Sequence, residues 1–257
     1  MSRFVNLELG DNSEQSTSPT GVVKDSTYYF AAATAAFESM DFEESLRLFG
    51  KVIEHDPGRP DAWTGQTRAL IELGNYQTAN AWADKALEQF PHEAELLAVK
   101  AVALGRVGES GAALAFSDAA IAEPGQTPYV WLARADVLLA AREQRADYCF
   151  EKAMAMAAGN WFIAWLAARI RLFYRQVMQA LALAQRAVEW HPGHAPCWLV
   201  LGLCQQTAGM VGPARQSINR AAELRPRWLA VMQANRAVDD TGFFRRVVGG
   251  VRGILEK

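Results

Sequence analysis

A spacing of 34 residues constrains this chain more than any other feature of its sequence. Pro57 and Pro91 stand 34 apart, as do Pro192 and Pro226. Trp63, Leu97, Trp131 and Trp165 follow one another at the same step of 34, and Trp198 comes 33 later. A third ladder, Val52, Ala86, Ala120, Ala153, Ala187 and Ala221, keeps the period with a single step of 33. A fixed period of this length marks stacked supersecondary units, none of which can bury its apolar face alone. The 257 residues therefore read as an array of units rather than as one or two globules.

Within each period the pattern is that of two helices. Apolar residues recur at three- and four-residue steps, as in Trp63, Leu70 and Leu73 or Ala79, Ala83 and Ala86, which puts them on one helical face. Glycines separate the halves: Gly74 before Asn75 in the second unit, Gly108 in the third and Gly209 in the sixth. Glycine takes the left-handed conformation that ends a helix without steric penalty. Each proline near a unit boundary stops the second helix, because it lacks an N–H and clashes with the preceding turn. The spacing predicts six antiparallel helix pairs over residues 27–226. Small residues are expected where helix axes cross: Gly202, Ala101 and Ala135 on first helices, Ala79, Ala113, Ala180 and Ala214 on second ones. The tryptophans are the large partners, each expected to bury on the order of 150–250 Å² between adjacent units.

Composition fits a packed chain of this kind and removes several functions. The sequence is 51% hydrophobic and 21% charged, ordinary for a globular protein. Its 26 basic and 28 acidic residues leave a net charge of −2. A general nucleic-acid binder would carry a strongly basic domain, so no nucleic-acid partner is expected. Cys149, Cys197 and Cys204 are too few and too scattered for a disulfide framework. No run approaches the roughly 18 apolar residues of a membrane span. The opening MSRFVNLELGDNSEQ lacks the basic-then-apolar order of a leader, and the expected location is the cytoplasm.

The sixth unit reads WLVLGLCQQTAGMVGPARQSINRAAELRP, with Trp198, Leu201, Gly202, Gly209, Ala214, Ala221 and Pro226 at fixed offsets. It resembles the tetratricopeptide repeat, and so does the second unit with Trp63, Gly74, Tyr76, Ala79, Ala86 and Pro91. The resemblance covers residues 27–226 and implies a right-handed superhelical solenoid. Units four and five depart from the pattern. Each reads as one residue short between its anchoring Trp and the next unit's register, Arg169 stands where the first helix is expected to have a small residue, and the turns Arg142–Arg145 and Tyr174–Val177 lack glycine. Residues 1–26 read as a tail whose polar part, Gly10 to Gly21, is a flexible linker. Residues 227–240, with Trp228, Leu229, Val231 and Met232, are expected to form the capping helix that a solenoid's open end needs.

The resemblance also implies where a partner would bind, on the concave surface lined by the first helix of each pair. Carried over by register, that surface holds Phe30, Thr34 and Phe37, then Thr64, Arg68 and Ile71, then Val99, Val102 and Arg106. The later units add Tyr129, Leu132, Asp136 and Leu139, then Leu166, Ile170, Phe173 and Tyr174, and finally Leu199 and Leu203. Exposed apolar surface of that extent calls for a cover. A partner peptide or amphipathic helix laid in the groove fits the chemistry, with Arg68, Arg106 and Asp136 fixing its register. The alternative is that tight curvature buries these residues against neighbouring helices. The clamp by which some family members hold a terminal carboxylate is not expected, because its places hold Thr27, Ala31, Thr34, Gly65 and Arg68, a single cation.

Other chemistry finds little support. There is no phosphate loop, nucleophile elbow or H-E-x-x-H motif, so no enzyme and no cofactor are expected. His191, His194 and Cys197 are zinc-type donors but lack a fourth ligand, and no metal site is expected. In residues 241–257, Phe243, Phe244, Val247, Val248, Val251, Ile254 and Leu255 share one helical face opposite Arg245, Arg246 and Arg252. Such a basic amphipathic segment can dock on the solenoid, on a partner protein or on an anionic membrane. The sequence thus points to a non-catalytic scaffold or adaptor. A chaperone-like holder of a secretion or assembly client and a peripheral membrane assembly factor are the other readings. Self-association stays open.

Overall fold

The computed structural model describes residues 24–238. The amphipathic segment at 241–257 and nearly all of the tail at 1–26 lie outside the described residues. The first helices of the six pairs are α1 (Ser26–Glu38), α3 (Pro60–Glu72), α5 (Ala94–Val107), α7 (Pro128–Ala140), α9 (Trp161–Phe173) and α11 (Ala195–Thr207). Their partners are α2 (Phe42–His55), α4 (Tyr76–Gln89), α6 (Ser110–Ala122), α8 (Ala146–Met156), α10 (Val177–Trp190) and α12 (Val211–Leu224). A further helix, α13, runs over 229–238, and its Val231, Ala234 and Val238 pack with Ala214, Ile218 and Ala221 of α12. Each helix packs on the next, and first helices also pack on one another, α3 on α5 and α5 on α7. The result is an all-α solenoid.

The periodic residues have identifiable jobs. Pro57, Pro91, Pro192 and Pro226 each stand two places beyond the last residue of a second helix, where the chain must leave the helical path. The tryptophan six residues on reaches back to that turn. Trp63 Nε1 donates to the Pro57 carbonyl at 3.0 Å, and Trp198 Nε1 donates to the Pro192 carbonyl at 2.7 Å. Unit four has no proline there, and Trp131 donates instead to Gln126 Oε1 at 3.0 Å. In the fifth unit, counted back from the turn residue Arg175, the ladder place falls on Ala164, and Trp165, one place on, buries an Nε1 that has no partner among the described residues.

The glycine and alanine positions are steric. A Cβ on Gly65 would lie 2.3 Å from the Phe49 ring, and one on Gly202 would lie 2.5 Å from Ile218. Ala101 and Ala135 are fully buried at the equivalent crossings. The turn inside each pair carries one left-handed residue: Met40, Gly74, Gly108, Arg142, Arg175 and Gly209. In five units the second helix starts two places later. In unit four it starts four places later, at Ala146, and α8 runs for only 11 residues. The missing residue of that unit is thus absorbed where α8 begins, and Ala153 keeps its place in the core.

Candidate functional site

First helices α5, α7, α9 and α11 are buried on nearly all sides, whereas second helices such as α4 bury one alanine face. The first helices are therefore the inner wall, and the superhelix is tight enough for that wall to meet itself across the axis. Phe37 of α1 packs edge-on against Phe162 of α9 at 6.1 Å. Glu72 of α3 pairs with Arg169 of α9, 97 residues away.

Among the described residues, two cavities stand out in this lumen. The larger, about 320 Å³, lies between α3, α5, α7 and α9, with Arg68, Glu72, Arg106, Asp136, Arg169 and Ile170 among its lining residues. The smaller, about 190 Å³, is walled by Phe30, Phe37, Phe49 and Phe162, with Glu38, Thr64 and Glu95 as polar groups. Arg68 lines both.

The charges of the larger cavity are mostly neutralised from within. Arg106 grips Asp136 through two bonds, Nε to Oδ1 at 3.0 Å and Nη2 to Oδ2 at 2.6 Å. Tyr174 Oη donates to Asp136 Oδ1 at 2.7 Å, and the Phe173 ring lies 3.5 Å from the Arg106 guanidinium. Both partners are nearly excluded from solvent, at 9% and 4% side-chain exposure. Burial works against a charged Arg106, but Asp136 more than compensates and holds it above its ordinary value. Burial, with Asp136 alongside, also keeps the Tyr174 phenol protonated. Arg68 differs. Its guanidinium lies over Tyr129 at 4.1 Å, Phe37 at 4.9 Å and Phe162 at 5.5 Å, and its buried Nη2 has no hydrogen-bond partner among the described residues. One turn earlier on α3, the buried Thr64 Oγ1 is likewise unpartnered, as is Arg169 Nε across the lumen. Glu38 faces this region; burial raises its carboxyl above the ordinary range against the pull of His191 and Arg68.

The residues expected on the inner surface divide into three groups. Arg68, Val102, Arg106, Tyr129, Asp136, Leu166, Ile170, Phe173 and Leu203 line the larger cavity, and Phe30 and Phe37 the smaller. Val99, Leu132 and Leu199 are at most 1% exposed; packed between helices, they offer no surface to a partner, which corrects their placement on an open groove. Leu139 packs against the core, and Tyr174 is spent on Asp136. Arg106 and Asp136 are committed to each other rather than left to fix a ligand's register. Glu72, Tyr76, Arg169 and Phe162 were not anticipated at the lumen. The register expected for Arg169 is one residue out: counted back from the left-handed turn residue, the fully buried Ala168 holds the small place that Gly202 holds in unit six, and Arg169 holds the lumen place of Arg68 and Asp136. The zinc-type donors do not converge. His194 Nε2 donates to the Glu38 carbonyl at 3.0 Å, burial pushes the Cys197 thiol up to about 12, and no metal-type cluster occurs among the described residues.

Set against known proteins, this helix-pair solenoid belongs to a recognised class. The tetratricopeptide repeat family model matches residues 36–103. Over 66 residues the chain is 41% identical to the Protein SGT1 homolog of Oryza sativa subsp. japonica, covering 25% of this chain and 18% of that protein. The chain thus spans less than a fifth of the length of that relative. Among solved structures, the type IV pilus biogenesis factor PilW superposes with a TM-score of 0.50 at 16% identity, over 81% of this chain and 97% of PilW. Human IFIT1 with m7Gppp-AAAA gives 0.52 at 18%, over 88% and 59%. Cut9 in the APC/C Cut9–Hcn1 assembly gives 0.52 at 13%, over 83% and 43%. At these identities the likeness is one of fold. Residues 36–103 thus match the tetratricopeptide repeat, and the six helix pairs of the described residues have the fold of a tetratricopeptide-repeat solenoid, in general that of a protein-interaction scaffold. No helix among the described residues is long and apolar enough to cross a membrane.

Proposed function

We propose that this protein is a non-catalytic adaptor that takes a short, extended segment of a partner protein into its lumen, with Arg68 as the receiving group. The observation that carries this reading is the Arg68 guanidinium at the junction of the two cavities, its Nη2 buried without an acceptor. A buried donor left unpaired is costly, and a carbonyl or carboxylate of an entering segment would supply what is missing. Around it Tyr129, Leu166, Ile170 and Phe37 give the apolar contact that drives association. Size favours an extended segment over an amphipathic helix. A helix with its side chains is about 10 Å across, while this lumen is bridged by Glu72–Arg169 and Phe37–Phe162.

A random-peptide array probed with the fluorescently labelled protein tests the reading. Selected peptides are expected to bind the wild type and to lose roughly tenfold affinity or more on Arg68→Ala, in line with a hydrogen bond to a charged group. Ile170→Glu should weaken them further while circular dichroism stays helical. Peptides that bind Arg68→Ala as tightly as wild type would move the activity to the convex face or the terminal segments.

A further inference from the structure

The ends of the array touch. Arg225, just past α12, donates through Nη2 to both carboxylate oxygens of Asp41, at 2.8 and 2.7 Å, and through Nη1 to the Ser39 carbonyl at 2.7 Å. His194, at the head of α11, donates to the Glu38 carbonyl. These acceptors are the last residue of α1 and the turn that follows it into α2, so repeat one is fastened to repeat six across 156 to 186 residues of sequence.

The same turn holds a residue at odds with its backbone. The left-handed position is glycine in units two, three and six, and a Cβ at Gly74 or Gly108 would meet nothing within 4 Å. Unit one has Met40, at φ 61°, where an L side chain is disfavoured. Arg142 and Arg175 share the strain but point to solvent. Met40 does not: it packs against both the main core and the separate cluster of α11, α12 and α13. A strained methionine whose side chain bridges two cores is doing at this seam what a glycine could not.

The seam differs in kind from the joints inside the array. Successive helices are joined by continuous apolar packing, whereas at the seam repeat six holds repeat one through Met40 and a handful of polar links, and beside them repeat five adds the Phe37–Phe162 ring contact and the Arg169 guanidinium over Phe42 at 5.1 Å. Its ion pair is partly open to water, at 33% and 40% side-chain exposure for Arg225 and Asp41. Such pairs contribute little and are screened by salt. A solenoid's repeats also depend only on their neighbours, so parting the seam leaves every repeat intact. We infer that repeats one and six form a separable clasp, and that its opening widens the lumen to admit a partner segment while closure around Arg225–Asp41 holds that segment in. The gating role rests on capture in the lumen as proposed above; the clasp itself does not.

Paired spin labels at Glu43→Cys and Asn219→Cys, both exposed sites on α2 and α12, read the seam without any partner. The native thiols are buried and two are pushed up to about 12, so the introduced ones take the label. The wild type is expected to give one short distance at low salt and a growing long component as salt rises. Arg225→Glu should convert most molecules to the long distance, and the swap Asp41→Arg with Arg225→Glu should restore the short one. If Arg225→Glu loses helicity, Arg225→Gln is read in its place. A distance unmoved by charge reversal, or not restored by the swap, overturns the clasp. An opening seam whose array-selected peptides associate no faster with Arg225→Glu than with wild type sinks the gating and leaves lumen capture standing.

Discussion

The tryptophans of the first helices contribute differently from unit to unit, and Trp165 stands one place out of the others' register. Trp63 and Trp198 tie their units to the preceding prolyl carbonyl, Trp131 makes do with Gln126, and Trp165 finds nothing. Trp165 is nonetheless the most deeply buried of them, at 0% exposure. Burial alone would rank it as the least replaceable ring. Hydrogen bonding reverses the order for one substitution, because phenylalanine keeps much of the apolar area and removes only the N–H. Trp63→Phe leaves the Pro57 carbonyl short of a donor, whereas Trp165→Phe deletes a donor that was already unsatisfied. Urea melts are expected to show Trp63→Phe costing about 1 kcal/mol more than Trp165→Phe. Equal losses would mean that the indole N–H contributes nothing to the joint.

The turn between paired helices carries the comparable argument for elements. Arg142 ends α7 in the left-handed region with its side chain exposed, so Arg142→Gly removes strain and no contact. A gain of about 0.5–1 kcal/mol is expected, less whatever the freer unfolded chain gives back. Met40→Gly relieves the same strain yet empties the seam, so it should stabilise less than Arg142→Gly or destabilise; thermal melts of the pair decide it. This contrast also marks what a one-dimensional reading can reach. The 34-residue period, the prolines and the glycines at 74, 108 and 209 are local instructions, and they specify helix pairs directly. The inner wall followed from the same register, which is why Arg68, Tyr129 and Ile170 could be placed on it. Closure could not be read this way. It arises from a small rotation added at each repeat, and no single window encodes the sum. Val99 and Leu132 therefore looked like groove surface and are core, and Arg106 and Asp136, 30 residues apart, looked like two free charges and are one pair.

For the molecule as a whole, the seam joins the longest-range contacts to a half-buried histidine. His194 sits against Trp161 and His191, with Arg225 nearby and its Nε2 on the Glu38 carbonyl. Burial lowers its pKa from the ordinary 6.5; the bond to Glu38 opposes this, and His191 and Arg225 add to it. The closed form therefore favours neutral His194. Its contribution is complete above about 6.5 and is lost as pH falls through the depressed value. Glu38 works in the opposite sense. Its carboxyl is raised above 4.5 by burial, so its contribution is present in acid and lost as pH rises through the raised value. Between pH 7.5 and 5.5, protonation of His194 should lower the closed fraction read by the spin labels as acid is added. Protonation of Glu38 should slow the loss. His194→Gln can still donate to the Glu38 carbonyl but cannot take a proton, so it should flatten the profile while keeping the seam shut at pH 7.5. A wild-type profile already flat across this window would assign the closure to Met40 and Arg225–Asp41 alone.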